Sequence, residues 1–163
     1  MINEPFDPWR AVAESDNVVL SFHPIARLMG GGFYARRGEI GLIVIDPDLR
    51  GADRRAVMTH ELIHHERADG LSPIDPSAAL ASFVAADERC VDREVARRLV
   101  PRPSLEAFVR SSTRAGLGVG AAEVAEHFEV PASVATCALD ELRSHPRRTG
   151  LAGGRSHRIG GGF

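Results

Sequence analysis

The chain has 163 residues, of which 44% are apolar, and a formal net charge of -2 at pH 7. This length and composition suit one compact domain with a hydrophobic core of its own. The small net charge gives no global electrostatic reason to expect binding to nucleic acid or to a membrane surface, so contacts of that kind would have to be local.

The first predicted elements are a short helix and a strand. Asp7 followed by Pro8 is typical of a helix N-cap with proline in the first turn, and it predicts a helix through about residue 14. The run VVLSF, residues 18–22, is apolar and rich in β-branched side chains, which predicts a strand.

A β-hairpin is predicted next. The segments FYA, residues 33–35, and IGLIVI, residues 40–45, flank a turn at residues 36–39. Three glycines at residues 30–32 precede the hairpin. Such glycines can cradle a phosphate, but neither a lysine nor a helix follows them, so we predict a flexible loop.

The rest of the chain is predicted to be helical up to a polar tail. The cap signal Asp75-Pro76-Ser77 opens the second of two long helices. Residues 144–163 contain six glycines, four arginines and no acidic residue, so we expect them to be disordered. The predicted helices cover residues 52–67, 77–100, 104–111, 121–128 and 132–143.

The stretch MTHELIHHE, residues 58–66, lies on the first long helix. A helix advances by about 100° per residue, so His60 and His64 lie only about 40° apart and both can bind one ion. Zinc accepts neutral histidine nitrogen, and Glu61 on the adjoining edge can hold a water without being a ligand. His65 is offset by about 140° from His60 and is expected outside the ligand set. On its own, the motif can also be a solvated polar face.

A third ligand is predicted on the second long helix, where Glu88 lies at the centre of an apolar stripe and is expected to face inward. Burial of an unpaired carboxylate costs several kcal/mol, so Glu88 requires a partner, and a cation held by two histidines is a strong candidate. The alternative partners are arginines of the same helix, whose angles point mostly to solvent. Asp92, one turn on, can accept the outward N–H of His60 or His64. The stripe consists of Leu80, Ala81, Val84, Ala85, Val91, Val95 and Leu99.

Two runs, YARRGEIGLIVIDPDLRGADRRAVMTHELIHH and DERCVDREVARRLVP, resemble the ImmA/IrrE family of cytoplasmic zinc metallopeptidases. The resemblance implies that His60, His64 and Glu88 bind the metal and that Glu61 is the catalytic base. It also implies an α+β, zincin-like fold, in which a short antiparallel sheet packs on the HExxH helix and a small helical segment follows. The corresponding ranges are 1–112 for the metallopeptidase domain, 113–143 for the helix-turn-helix-like segment and 144–163 for the tail.

The expected function is hydrolysis of a peptide bond by one Zn²⁺, or by another divalent metal such as Mn²⁺. An oxyanion donor is also needed; Tyr34, His23 and His65 are candidates, and Tyr34 is the one we retain. The substrate is expected to add as an extended strand beside the hairpin. The resemblance implies that this substrate is a helix-turn-helix repressor of a phage, a mobile element or a stress response.

Two other functions remain open. The helices at 121–143 and the basic tail suggest a DNA-associated regulator, but ASVATCALDELR has no basic residue before Arg143, so direct DNA binding is not expected. A metal-binding interaction protein without catalysis is the other alternative, and Glu61 argues against it.

The start of the chain, MINEPFDPWRAVAES, has acids and prolines where a signal peptide needs a basic start and an apolar run. Cys90 and Cys137 lack the spacing of a disulfide framework or of a cysteine zinc site. No segment approaches the length of a transmembrane helix. We therefore expect a cytoplasmic protein that does not enter membranes.

Overall fold

The computed structural model describes residues 6–67 and 78–144, with side chains from residue 86 onward in the second range. This part of the chain is mixed α+β. Within it, no helix combines the length and the apolar character that a membrane crossing requires. The predicted cap at Asp75 and residues 145–163 of the predicted disordered tail lie outside the described residues. Ser144, the predicted first residue of that tail, is instead helical. The elements are α1 Pro8–Ala13, β1 Val18–Phe22, a 3-10 helix Pro24–Met29, β2 Gly32–Arg37, β3 Ile40–Ile45, α2 Gly51–Arg67, α3 Ala78–Leu99, α4 Arg102–Arg114, α5 Ala121–Phe128 and α6 Ala132–Ser144.

The sheet has three strands in the order β1-β3-β2. The hairpin of β2 and β3 is antiparallel as predicted, with Gly32 opposite Ile45. The prediction of a wholly antiparallel sheet is wrong, because β1 pairs parallel to β3, with Phe22 opposite Ile45. The reason is the 3-10 helix between β1 and β2, which carries the chain past the end of β3 and leaves room for β3 between the other two strands.

The 3-10 helix was not predicted, and two side chains hold it at the end of β3. His23 caps it by accepting a hydrogen bond at Nδ1 from the backbone N–H of Ile25, at 3.2 Å. Arg27 donates to both carboxylate oxygens of the buried Asp46, at 2.9 and 3.2 Å. Gly30 then ends the helix with φ of 82°, in the left-handed region that glycine tolerates best. The glycine run is thus an ordered helix end that leads directly into β2.

Helix α2 is packed on two sides. One side contributes Met58 and Leu62 to a cluster with Tyr34, Ile43 and Ile45 of the sheet. The other side belongs to a second cluster, whose members come from α2 and from the helices that follow it. Residues of the 113–143 range therefore share a core with the HExxH helix. The second cluster contains Ala56, Ile63, Val91, Val95, Ala96, Leu99, Val100, Leu105, Val124, Val130, Ala135, Ala138 and Leu139.

His65 docks α2 onto the sheet. Its Nδ1 lies 3.3 Å from the hydroxyl of Tyr34, and its Nε2 lies 3.2 Å from Oδ1 of Asn17. Gly41 of β3 provides the space, since a Cβ there would lie 2.5 Å from Nδ1 of His65 and 2.9 Å from Cε2 of Tyr34. A histidine that contacts two sheet-side partners fixes the rotation of α2 about its own axis.

We expect Gly41→Ala to lower the free energy of unfolding by about 1–3 kcal/mol, the usual cost of overpacking. The added methyl group has no room unless α2 and the sheet separate. Urea denaturation followed by circular dichroism measures the change. Gly118→Ala is the matched control, because no atom lies within 4 Å of a Cβ at that exposed glycine. Equal stability of the Gly41→Ala and Gly118→Ala proteins would contradict the proposed role of His65 in docking.

Candidate metal centre

Two histidines of α2 face the same point. His60 and His64 are one helical turn apart, and their Nε2 atoms lie 3.1 Å from each other. Both side chains are partly buried. Burial, and secondly the neighbouring His64, lower the pKa of His60, which favours the neutral ring that a metal requires.

Glu88 of α3 completes the group. One carboxylate oxygen lies 3.1 Å from Nε2 of His60, and the other lies 3.5 Å from Nε2 of His64. The three residues offer ligand atoms that all lie within 4.8 Å of one another. Two imidazole nitrogens and one carboxylate oxygen suit zinc and other divalent ions of the same series. The group could therefore hold a metal ion, although its geometry does not identify which one.

Glu88 is less buried than we predicted. Its side chain is 43% exposed, because it lies on the wall of an open cavity instead of inside a core. The cost of burying its charge is therefore a weaker argument for a metal than the sequence suggested. The convergence with the two histidines is the stronger argument. Three arginines of α3 have other partners: Arg97 pairs with Glu141, Arg98 pairs with Glu66, and Arg93 donates to the backbone carbonyl of Arg89.

Asp92 lies behind His60. Its Oδ1 is 3.4 Å from Nδ1 of His60, the ring nitrogen opposite the one that faces Glu88. A carboxylate beside Nδ1 favours the tautomer with the proton on Nδ1, which leaves the Nε2 lone pair available for a metal. The structure places Asp92 beside His60, and its orienting role stays a prediction.

Glu61 is buried between α2 and the start of β2, at the bottom of the cavity that His60 and Glu88 also line. Its side chain fits there because residue 32 is glycine: a Cβ on Gly32 would lie 3.0 Å from Oε1 of Glu61 and 2.5 Å from Cγ1 of Val57. Burial, with a smaller contribution from Glu88, raises the pKa of Glu61 to about 8. The carboxyl group can therefore gain and lose a proton near neutral pH. Our sequence reasoning missed Gly32, although the alternation of inward residues along β2 could have identified it.

The cavity over these residues has a volume of about 940 Å³ and lies between three helices. Helices α2 and α3 contribute His60, Glu61 and Glu88, and α6 contributes the opposite wall. The α6 residues at the wall are Ser133, Val134, Thr136, Cys137, Asp140, Glu141 and Ser144.

The three candidate oxyanion donors lie elsewhere. Tyr34 is buried against the sheet side of α2, where its hydroxyl contacts His65. His23 caps the 3-10 helix. None of the three is among the described residues that line the cavity. We therefore withdraw Tyr34 as the oxyanion donor. The error arose because alternate residues of β2 face α2, and along that face Gly32 lies against Glu61, whereas Tyr34, two residues on, contacts His65.

Comparisons of the chain with models of protein families, with curated proteins and with solved structures found no match. A functional interpretation therefore depends on the geometry of this group and on the resemblance stated above.

Proposed function

We propose that the chain is a zinc-dependent endopeptidase with a zincin-like domain. The observation that carries this proposal is the convergence of His60, His64 and Glu88 beside a buried Glu61. Three protein ligands leave a position for water, as in catalytic zinc sites, whereas structural zinc sites usually have four protein ligands. The resemblance to the ImmA/IrrE metallopeptidases supports the same assignment, residue by residue.

Glu61 acts as the general base in this proposal. The chemistry that zinc supplies at such a site is Lewis acidity toward a water molecule and toward a substrate carbonyl. Glu61 takes the proton of the attacking water and returns it to the leaving amine. Burial raises the pKa of Glu61 to about 8 in the metal-free chain. A cation on the adjacent ligands would favour the carboxylate, which is the form that accepts the proton of the water. His60 stays neutral because burial lowers its pKa, and Asp92 holds its ring in place.

The edge of β2 is the surface on which a peptide substrate would bind. Among the described residues, this strand pairs with β3 on one side and with no strand on the other, so that edge has backbone groups that an added strand could use. Gly32 begins β2 directly against Glu61, so a peptide bound along this edge would pass the base. That the substrate is a helix-turn-helix repressor is supported by the resemblance alone.

The two alternative functions, a DNA-associated regulator and a metal-binding interaction protein without catalysis, receive less support. A DNA-reading helix needs basic residues on its exposed face, whereas exposed positions of α6 include Thr136 and the acidic Asp140, with Arg143 only in its last turn. A metal-binding protein without catalysis would not need the buried Glu61 beside the ligands, since burial of that carboxylate destabilises its charged form.

We expect the zinc-loaded protein to cleave peptides, and we expect Glu61→Gln to reduce the rate by about 100- to 10,000-fold, the usual contribution of a general base. Glutamine keeps the shape of the side chain but cannot accept the proton. The assay incubates each protein with a proteome-derived peptide library and identifies new termini by mass spectrometry. The neighbouring-gene helix-turn-helix repressor, if the gene has one, is the second substrate.

The Glu61→Gln protein must bind zinc as the wild type does for this comparison to be valid. Equal cleavage by the two zinc-loaded proteins would exclude Glu61 as the base. Absence of any cleavage by the wild type, with zinc bound, would favour the interaction protein. Tight binding of duplex DNA by the same preparation would favour the DNA-associated regulator.

A further inference from the structure

Helix α6 and the metal-binding helices form opposite walls of one cavity. Val134, Cys137 and Asp140 of α6 line it, across from His60 and Glu88. The width of the cavity therefore depends on where α6 lies relative to α2. Contacts that join α2 to the turn between α5 and α6 therefore affect this width.

Arg55 makes those contacts. It lies on α2, and its Nη1 donates to the backbone carbonyl of Phe128 at 3.0 Å and to that of Glu129 at 3.5 Å. Its Nη2 donates to the carbonyl of Phe6 at 3.1 Å. Phe128 is the last residue of α5, and Glu129 has φ of 52° in the turn before α6. Carbonyls at a helix C-terminus lack partners within the helix, and a cation there also complements the helix dipole.

The α5–α6 turn and α6 also have apolar attachments, since Val130 in the turn and Ala135, Ala138 and Leu139 of α6 pack into the core. Farther along α6, Glu141 pairs with Arg97 at 2.8 Å. Arg55 is partly buried, and burial lowers its pKa, while the charges of Glu129 and Asp7 oppose this shift. Arginine suits this position because its rigid planar fork holds separate donors, Nη1 and Nη2, toward carbonyls on two sides, whereas the three donors of a lysine all lie on one nitrogen.

We propose that Arg55 is a positioning residue, which ties the α5–α6 turn to the helix of His60 and Glu61 and so sets the width of the cavity. The use of this cavity by a peptide rests on the proposed function. The role of Arg55 does not, because it can be measured without catalysis. Loss of the guanidinium leaves the carbonyls of Phe128 and Glu129 without this donor, and the wall can then move away from α2.

The thiol of Cys137 provides the measurement, since it lines the cavity and is half-buried. The background is Cys90→Ser, which removes the exposed second thiol. We expect Arg55→Met to increase the rate at which Cys137 reacts with Ellman's reagent by about tenfold, as expected when hydrogen bonds from a charged donor are lost. Zinc affinity should not change, because Arg55 does not contact the ligands.

The matched control is Arg54→Met. Arg54 is the neighbouring arginine of α2, but it donates to the carbonyl of Pro47 at 2.9 Å and lies over the ring of Phe22, away from α5 and α6. Its replacement should leave the reaction rate of Cys137 at the wild-type value. Arg55→Lys should give an intermediate rate, because an ammonium group can restore part of the contact. That variant carries the test if Arg55→Met does not fold.

Two results would overturn the proposal. The first is the same Cys137 reaction rate in the Arg54→Met protein and in the Arg55 variants. The second is a reaction rate in the Arg55 variants that rises with urea as steeply as global unfolding does, since the thiol would then be exposed by loss of the whole fold and not by movement of α6. Absence of peptidase activity in the wild-type protein would contradict the proposed function but would leave this test of Arg55 unaffected.

Discussion

Replacing His64 with alanine is expected to reduce the zinc affinity of the purified protein by more than about 100-fold. Loss of an outer partner of a ligand usually costs roughly 10- to 100-fold, and loss of a ligand itself costs more. Glu88→Gln should have a similar effect, because the amide keeps the volume but lacks the charge. Equilibrium dialysis followed by elemental analysis measures the affinity and the stoichiometry, and we expect one ion per chain in the wild type.

His65→Ala is the matched control for His64→Ala. His65 is the adjacent residue in the same motif, but it contacts Tyr34 and Asn17 on the sheet side of α2. Its replacement should lower stability and leave zinc affinity nearly unchanged. Full zinc occupancy in the His64→Ala protein would contradict the ligand assignment. Equal losses in both variants would mean that binding depends on the packing of α2 and not on the ligands.

The opposite directions of His64, toward His60, and of His65, toward the sheet, were predictable from the sequence. They follow from the rotation of about 100° per helical residue alone. The pairing of α2 with β2 follows from a similar rule. Four residues of a helix rise about 6 Å and two residues of a strand rise about 6.6 Å, so matched contacts recur along the two elements. Gly32 meets Glu61, and Tyr34 meets His65. The alternation of side chains along β2 therefore predicts that Tyr34 contacts His65 and lies away from His60 and His64.

The order of the strands was not predictable in this way. Local patterns identify β1 and β3 as strands, but they do not say which strand lies in the middle. The central position of β3 depends on the 3-10 helix and on the hydrogen bonds from Arg27 to Asp46, which join residues 19 positions apart in the sequence. The exposure of Glu88 has a similar origin, because it depends on the cavity between α3 and α6. Helical periodicity describes one helix at a time and contains no information on such spaces.

Replacing Glu61 with glutamine is expected to stabilise the metal-free protein, by an amount that increases with pH. Burial, and secondly the charge of Glu88, raise the pKa of Glu61 from 4.5 to about 8. Below about pH 4.5 the carboxyl group is protonated in both the folded and the unfolded chain. As the pH rises from there to about 8, the unfolded chain releases this proton while the folded chain retains it, so the folded state loses stability. Glutamine is neutral throughout and is not subject to this loss.

Urea unfolding of both proteins with a chelator present, at about pH 5 and about pH 8, measures the effect. The free energy of unfolding of Glu61→Gln should exceed that of the wild type by roughly 3 kcal/mol more at about pH 8 than at about pH 5. The reason is that each unit of pKa difference corresponds to about 1.4 kcal/mol. Glu126→Gln, at an exposed position of α5, is the control and should show no such increase. An advantage that is the same at both pH values would mean that the folded protein already holds Glu61 ionised at pH 5. Glu61 would then be a weaker base than its burial implies, and the proton transfer proposed for it would lose its physical basis.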